Sequence, residues 1–303
     1  MLKYYVTAAA LKGFSCTPLT RRVYRNLGNS VGGKKRATEK MPGYYLERIN
    51  RMLRFARKYG IPQDGSRLLE LGTGWCHWEA LTARLFFDLR ATLYDVWDNR
   101  QMGALKNYVQ QLDGSLDQVD ADSAQRASAH EMIGRINAVE TYEELYQLLG
   151  FEYVLDPAGK LAPLESNTYD MAVSGGVLEH IYAGDARDIV NAVATVLKPG
   201  GYSVHSINIR DHLYLYDTTA SPKQYLQYSD RVWKTWFSND VQYINRIQRS
   251  EWLELFGSAG LKLVEEEIEP EEISGLKIAA EFAKFDPTDL SCGGLRLVHQ
   301  KLA

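Results

Sequence analysis

Two glycines one residue apart, Gly72-Thr73-Gly74, follow the apolar run Arg67-Leu68-Leu69-Glu70-Leu71, and Asp95 closes a second apolar run 23 residues after Gly72. Glycines at a strand-to-helix turn let backbone amides approach a ligand closely. A carboxylate at the end of the next strand can accept hydrogen bonds from both hydroxyls of a ribose. The pair therefore predicts a nucleoside ligand, with a plain tight turn as the alternative. In Gly72-Thr73-Gly74-Trp75-Cys76-His77 the third glycine of a dinucleotide fingerprint is replaced by His77. That argues against nicotinamide and flavin cofactors.

Proton chemistry near neutrality calls for imidazole. Of six histidines, His180, His205 and His212 gather around the ends of two later apolar runs, while His77, His130 and His299 read as structural. The candidate catalytic residues are His180, in Leu178-Glu179-His180, and the Asp211-His212 dipeptide, read as an oriented acid–base pair. His212 with His205 is an alternative metal pair, but no third carboxylate or histidine stands at compact spacing, so no metal is expected. Tyr214, Tyr216, Tyr225, Tyr228, Trp233, Trp236, Phe237 and Tyr243 follow, with Asn239 among them and Asn245, Arg246 and Arg249 just after. Aromatic planes beside bidentate donors suit a polyhydroxylated or anionic acceptor, with His205, Asn245, Arg246 and Arg249 as the binding residues. A simple aromatic core is the competing reading.

The elements that must position these groups alternate. Helices are expected over 44–59 and 186–197, strands over 67–71, 91–96, 152–155, 169–174 and 201–207, and a mostly helical insertion over 101–149. A helix over 250–258 precedes strands over 261–266 and 295–300, expected to close the sheet as an antiparallel pair. Alternation of this kind gives an α/β fold with a parallel sheet covered by helices on both faces, and ligands beyond the carboxyl ends of its strands.

In their order, these pieces resemble the class I S-adenosylmethionine-dependent methyltransferases. The resemblance rests on Leu69-Glu70-Leu71-Gly72-Thr73-Gly74, on Asp95, on Tyr169-Asp170-Met171-Ala172-Val173-Ser174 running into Val177-Leu178-Glu179-His180-Ile181, and on Leu197-Lys198-Pro199-Gly200-Gly201. It implies a Rossmann-like, mostly parallel seven-stranded sheet with helical insertions forming a substrate cap, and S-adenosyl-L-methionine as cofactor. The implied cofactor residues are Glu70, Gly72, Thr73, Gly74, Asp95 and Ser174, with methionine near the first strand and ribose at Asp95. The polar residue that often meets adenine after the third strand has no clear counterpart, Asp156 beside the Pro157 turn being only a weak candidate, and the adenine contacts stay open. A looser likeness, carried by Asn208-Ile209-Arg210-Asp211-His212 and Tyr243-Ile244-Asn245-Arg246-Ile247-Gln248-Arg249-Ser250, is to a bacterial subgroup associated with surface-polysaccharide assembly. It implies O-methylation of a sugar, nucleotide- or lipid-linked. The alternatives are RNA methylation and a catalytically silent, cofactor-binding partner subunit.

Charge adds a partner. The first 58 residues carry 14 Lys or Arg against Glu39 and Glu47, although the whole 303-residue chain is −3. Residues 21–40, rich in glycine and cations, are expected as an arm for phosphate or an anionic membrane surface, and the excess acidity of the remaining chain argues against nucleic acid. The expected organisation is a basic arm and helix over 1–60 and a methyltransferase domain over 61–303, with insertions at 101–150, 208–249 and 267–294. No apolar run approaches the length needed to span a bilayer. Met1 to Leu11 breaks at Lys12 and Gly13, a poor secretory leader, so a cytoplasmic location with peripheral contact at the inner membrane surface is expected. Cys16, Cys76 and Cys292 fit neither a disulfide framework nor a zinc site.

Overall fold

The computed structural model describes residues 1–302. The elements are α1 (Leu2–Ser15), α2 (Pro18–Arg36), α3 (Tyr44–Tyr59), β1 (Arg67–Leu71), α4 (Trp78–Phe86), β2 (Arg90–Asp95) and α5 (Met102–Asp113). Then come α6 (Ser123–Ala138), α7 (Tyr142–Leu149), β3 (Phe151–Leu155), β4 (Tyr169–Gly175), α8 (Ala186–Val196) and β5 (Leu197–Asn208). The chain ends with α9 (Asp230–Trp236), α10 (Arg249–Ser258), β6 (Leu261–Pro270), α11 (Pro287–Ser291) and β7 (Cys292–Lys301). The strands form a seven-stranded sheet of order β3-β2-β1-β4-β5-β7-β6. The expected α/β architecture is present, and no helix among the described residues is long and apolar enough to cross a membrane.

Two compact units divide the chain otherwise than at residue 60. One comprises residues 28–174, 192–203 and the C-terminal residues from 301, the other residues 1–27, 175–191 and 204–300. In the first unit β1 pairs in parallel with β2, from Arg67 opposite Arg90 to Leu71 opposite Tyr94, and with β4, from Leu68 opposite Met171 to Glu70 opposite Val173. Successive crossovers therefore leave β1 in opposite directions, which opens a crevice at its carboxyl end. Leu68 and Leu69 are almost fully buried because both faces of β1 are covered. α3 buries Tyr45, Ile49, Leu53 and Ala56 at helical spacing and stops at Gly60, whose φ of 72° suits glycine. Reciprocal capping boxes start α6 at Asp122 and α7 at Thr141.

The expected arm over 21–40 is instead mostly helical, as α2, with none of its residues buried. Gly33 helps to dock it: a Cβ there would lie 3.2 Å from Gln101 Oε1, so the missing side chain permits close approach. In the second unit α1 buries Tyr4, Ala8 and Leu11, and Tyr4 donates its hydroxyl to Asp211 at 2.6 Å. Lys12 Nζ donates to the carbonyls of Lys234 and Ser238. The N-terminal helix is thereby joined to the aromatic insertion.

Gly200-Gly201, within the first half of β5, is under a severe steric constraint. A Cβ on Gly201 would stand 2.9 Å from the Lys198 carbonyl oxygen and 3.1 Å from those of Asp170 and Tyr169. All three are backbone atoms and cannot swing away. Gly201→Ala is predicted to lower stability by about 1–3 kcal/mol, read as a lower urea midpoint with unchanged slope; an unchanged midpoint would show that the strand relaxes freely.

Candidate functional site

The β1–α4 loop sets the backbone for a ligand. Gly72 and Gly74 each have φ of 61°, a left-handed conformation favouring glycine. The Gly72 amide donates to the Tyr94 carbonyl at 2.8 Å. Gly74 donates its amide to Asp95 Oδ2 at 2.9 Å, and Val96 donates to Asp95 Oδ1 at 2.8 Å. Burial raises the Asp95 pKa, and the amides of Gly74, Val96 and Trp97 counter that by stabilising the carboxylate.

Thr73 and His77 brace the same loop. The Thr73 hydroxyl lies 2.6 Å from His77 Nδ1, and Tyr146 OH lies 3.0 Å from Nε2. His77 is fully buried with φ of 51°. Burial, reinforced by the Arg100 charge, lowers its pKa to about 3, so the ring is neutral. The side chain that replaces the third glycine is thus a strut from the loop to α7. It belongs to a cluster that sequence reading missed: Arg100 lies over Tyr153, Tyr142 and Tyr146 at 4.4, 4.9 and 5.9 Å and grips Asp98 with Nε and Nη2. Its signal was Asp98-Asn99-Arg100 just after the acidic strand end, with Tyr142 and Tyr146 one helical turn apart.

Glu70 is 4% exposed, and its Oε2 accepts the Ala80 amide at 2.8 Å near the start of α4. Burial, with the Glu79 charge, raises its pKa to about 8. Ser174 is buried at the end of β4. Asp156 accepts the Tyr94 hydroxyl at 2.7 Å and the Ala158 amide, which makes it a turn residue.

The loop fits S-adenosylmethionine on two observations. A Cβ built on Gly74 would meet only the Gly72 carbonyl, at 3.8 Å, so the loop is open on that side. Each Asp95 oxygen also retains acceptor capacity for a ribose hydroxyl beyond its backbone bonds. Gly72, Gly74 and Asp95 are the candidate cofactor contacts, with Thr73 acting through His77.

The second unit contains the histidines expected to be catalytic, in a different arrangement. His180 and His212 have ring centroids 5.0 Å apart, and His180 Nδ1 is 2.6 Å from the Tyr243 carbonyl oxygen. Desolvation holds the His180 pKa below its ordinary value and, with the His180 charge, lowers that of His212 to about 4. Both imidazoles are neutral at physiological pH. The expected Asp211–His212 pair is not formed. The Asp211 carboxylate is fully buried and accepts the Tyr4 hydroxyl and the Leu213 amide. Adjacent residues in a turn point in different directions, and Asp211 caps the short 3-10 helix His212–Leu215.

The four expected acceptor-binding residues have scaffolding roles. His205 is buried against Phe256, 5.5 Å between ring centroids. Asn245 Nδ2 donates to the Leu178 and Ile181 carbonyls, which straps the Glu179-His180 turn. Arg246 pairs with Asp230 and lies over Trp233 and Phe282. Arg249 is held by Glu266 and Asp289. Tyr228, Trp233 and Phe237 stack on one another, so much of the aromatic insertion is core.

Fold and loop together define a class I S-adenosylmethionine-dependent methyltransferase. A methyltransferase-domain family model matches residues 37–266, and the chain belongs to that family. A provisional sarcosine dimethylglycine methyltransferase from Galdieria sulphuraria has 13% identity, covers 85% of this chain and 86% of its own, and gives a TM-score of 0.50. A methyltransferase from Methanosarcina mazei has 13% identity, coverage of 82% and 97%, and a TM-score of 0.48. Phosphoethanolamine N-methyltransferase 2 of Haemonchus contortus, solved with S-adenosylmethionine, has 15% identity, coverage of 84% and 53%, and a TM-score of 0.47. These are likenesses of fold. No curated protein sequence matches the chain. The cofactor is S-adenosylmethionine, which supplies an electrophilic sulfonium methyl group.

Two predictions follow from the loop. Asp95→Ala removes a charged acceptor from Gly74 and from the ribose, and calorimetry is expected to show cofactor affinity about 10- to 100-fold weaker; unchanged affinity would remove Asp95 from the site. Glu70 concerns stability. Its folded carboxyl holds a proton up to about pH 8 instead of its ordinary 4.5. The stabilisation from that proton is full below pH 4.5 and lost as pH rises through 8. Glu70→Gln has no such proton, so its stability relative to the native chain should climb over this interval, by up to about 1.4 kcal/mol per pH unit. Urea unfolding at about pH 5.5 and 8.5 checks this, and a constant difference would contradict it.

Proposed function

We propose that the chain transfers the methyl group of S-adenosylmethionine to a hydroxyl of a sugar or glycan, carried on a nucleotide or lipid. The observation that carries this reading is the neutral His180–His212 pair: Nδ1–H of His180 faces a carbonyl, and His212 Nε2 is buried without a hydrogen-bond partner. Transfer to a hydroxyl releases a proton, and an unprotonated imidazole can receive it. The displacement itself asks mainly for alignment and exclusion of water.

Two features support the acceptor class. His212 borders a small pocket lined by Leu11, Trp233, Phe237, Asn239 and Gln242, a mixture of apolar planes and amides suited to a sugar. On α2, Leu19, Val23, Leu27 and Val31 recur every fourth residue and are at least half exposed. That helix carries Arg21, Arg22, Arg25, Lys34, Lys35 and Arg36 and no acidic residue. An exposed apolar stripe on a cationic helix suits an anionic bilayer, where a lipid-linked acceptor resides.

The test supplies the full chain with methyl-labelled S-adenosylmethionine and a bacterial extract, then separates glycan and glycolipid from nucleic acid, protein and small molecules. Label resistant to nuclease and protease in the glycan fraction is expected, as is a fall of about 10²-fold or more for His212→Ala. The chain should also sediment with phosphatidylglycerol vesicles, and Val23→Glu with Leu27→Glu should abolish this. Nuclease-sensitive label would establish RNA as the acceptor, and cofactor binding without any labelling would indicate a silent partner subunit.

A further inference from the structure

We propose that Glu179, His180 and His212 form a binding site for one divalent transition-metal ion, of the zinc, cobalt or iron type. One potential ligand atom from each residue lies within 4.8 Å of the other two. Donors around such an ion at about 2.1 Å stand roughly 3–3.5 Å from each other, so contraction by about an ångström would close the site. Two imidazole nitrogens and one carboxylate oxygen form a donor set for these ions, and three ligands leave coordination positions open.

The second, independent observation is the state of the donors. Glu179 is 3% exposed, and its carboxylate receives the amides of Glu179 and Asn208, yet Oε2 has no hydrogen-bond partner. His212 Nε2 is likewise buried and without one. A buried polar atom left unpaired costs about 1–3 kcal/mol and is rare in folded proteins. Two such atoms in one three-residue cluster point to a missing partner. His180 supplies the third part: with Nδ1–H donated to the Tyr243 carbonyl, Nε2 is the nitrogen with a free lone pair, the orientation that metal-ligating histidines adopt.

The fold holds this turn firmly. Asn245 donates its amide nitrogen to the Glu179 carbonyl and its side chain to those of Leu178 and Ile181. Asn245 is therefore a positioning residue for the cluster. The trio differs from the His205–His212 pair considered from sequence, because Glu179 and His212 are far apart in the chain and His205 is buried against Phe256. The inference rests on the proposed acceptor reading only for what the open positions would receive, a hydroxyl oxygen. With an ion bound, the Nε2 lone pairs of His180 and His212 are engaged and neither accepts a proton; the metal instead makes that hydroxyl more acidic, and its proton passes to water.

The experiment reads metal occupancy directly. The full chain, stripped with chelator, is titrated with Co²⁺ and with Zn²⁺ by calorimetry and visible absorption. One equivalent should bind, with cobalt d–d bands of an ion held by nitrogen and oxygen. His212→Ala and Glu179→Gln should each weaken binding about 10- to 100-fold. His130→Ala, at the exposed His130–Asp113 pair, should leave it unchanged. Should Glu179→Gln not fold, as judged by circular dichroism, His180→Ala at a more exposed position takes its place. Absence of binding, equal binding in the cluster variants, or loss only with His130→Ala would overturn the site. Binding with no methyl transfer would overturn the acceptor reading alone, and transfer by a metal-free chain that binds no ion would overturn this inference alone.

Discussion

One carboxylate fixes the geometry on which the loop after β1, the candidate cofactor site, depends. Asp95 accepts the Gly74 amide with one oxygen and the Val96 amide with the other, so it ties the turn after β1 to the end of β2. The strands already lie side by side in parallel register, with Leu71 opposite Tyr94. Glycine is needed at 72 and 74 because both hold left-handed backbone there. Thr73 then faces His77, and His77 carries the restraint to Tyr146. Such a loop is set before a ligand arrives, which reduces the ordering that binding requires.

The acidic and basic side chains of the other unit show how buried charge limits what sequence position alone can mean. Arg246 and Arg249 sit among aromatics as a substrate clamp would, yet desolvating a guanidinium is unfavourable unless a carboxylate accompanies it. Asp230 meets the first, and Glu266 and Asp289 meet the second. Asp211 is buried in the same way and holds α1 through Tyr4. These groups are committed to structure, which leaves Glu179, His180 and His212 as the cluster with open valence. Its neutral imidazoles can accept a proton when no ion is bound or ligate one when it is, since His212 Nε2 has a single lone pair for the two roles.

Much of the fold was legible because it follows from periodicity. The helix over Tyr44–Tyr59 and the strand over Arg67–Leu71 were read to the residue, since a glycine or proline bounds each apolar pattern closely. The tight turn after β1 was equally open to reading, because only a few residue types suit the left-handed backbone at Gly72 and Gly74. α2 was not, as three glycines and many cations resemble a flexible arm, while its docking through Arg36 depends on Trp75 and on Gln101, the latter 65 residues away in the chain. The Asp211–His212 pair failed for a local reason, as neighbours in a tight turn do not share a direction. Glu179 was overlooked because its lack of a partner is a property of three-dimensional packing.

The central claim is that the clamped loop after β1 is the S-adenosylmethionine site. Hydrogen–deuterium exchange of the full chain, with and without S-adenosylhomocysteine, tests it most directly, alongside calorimetric stoichiometry. The account predicts one equivalent bound and slowed exchange at the amides of residues 72–75 and 95–97. Binding that left those amides unchanged and protected another region, or no binding at all, would contradict it.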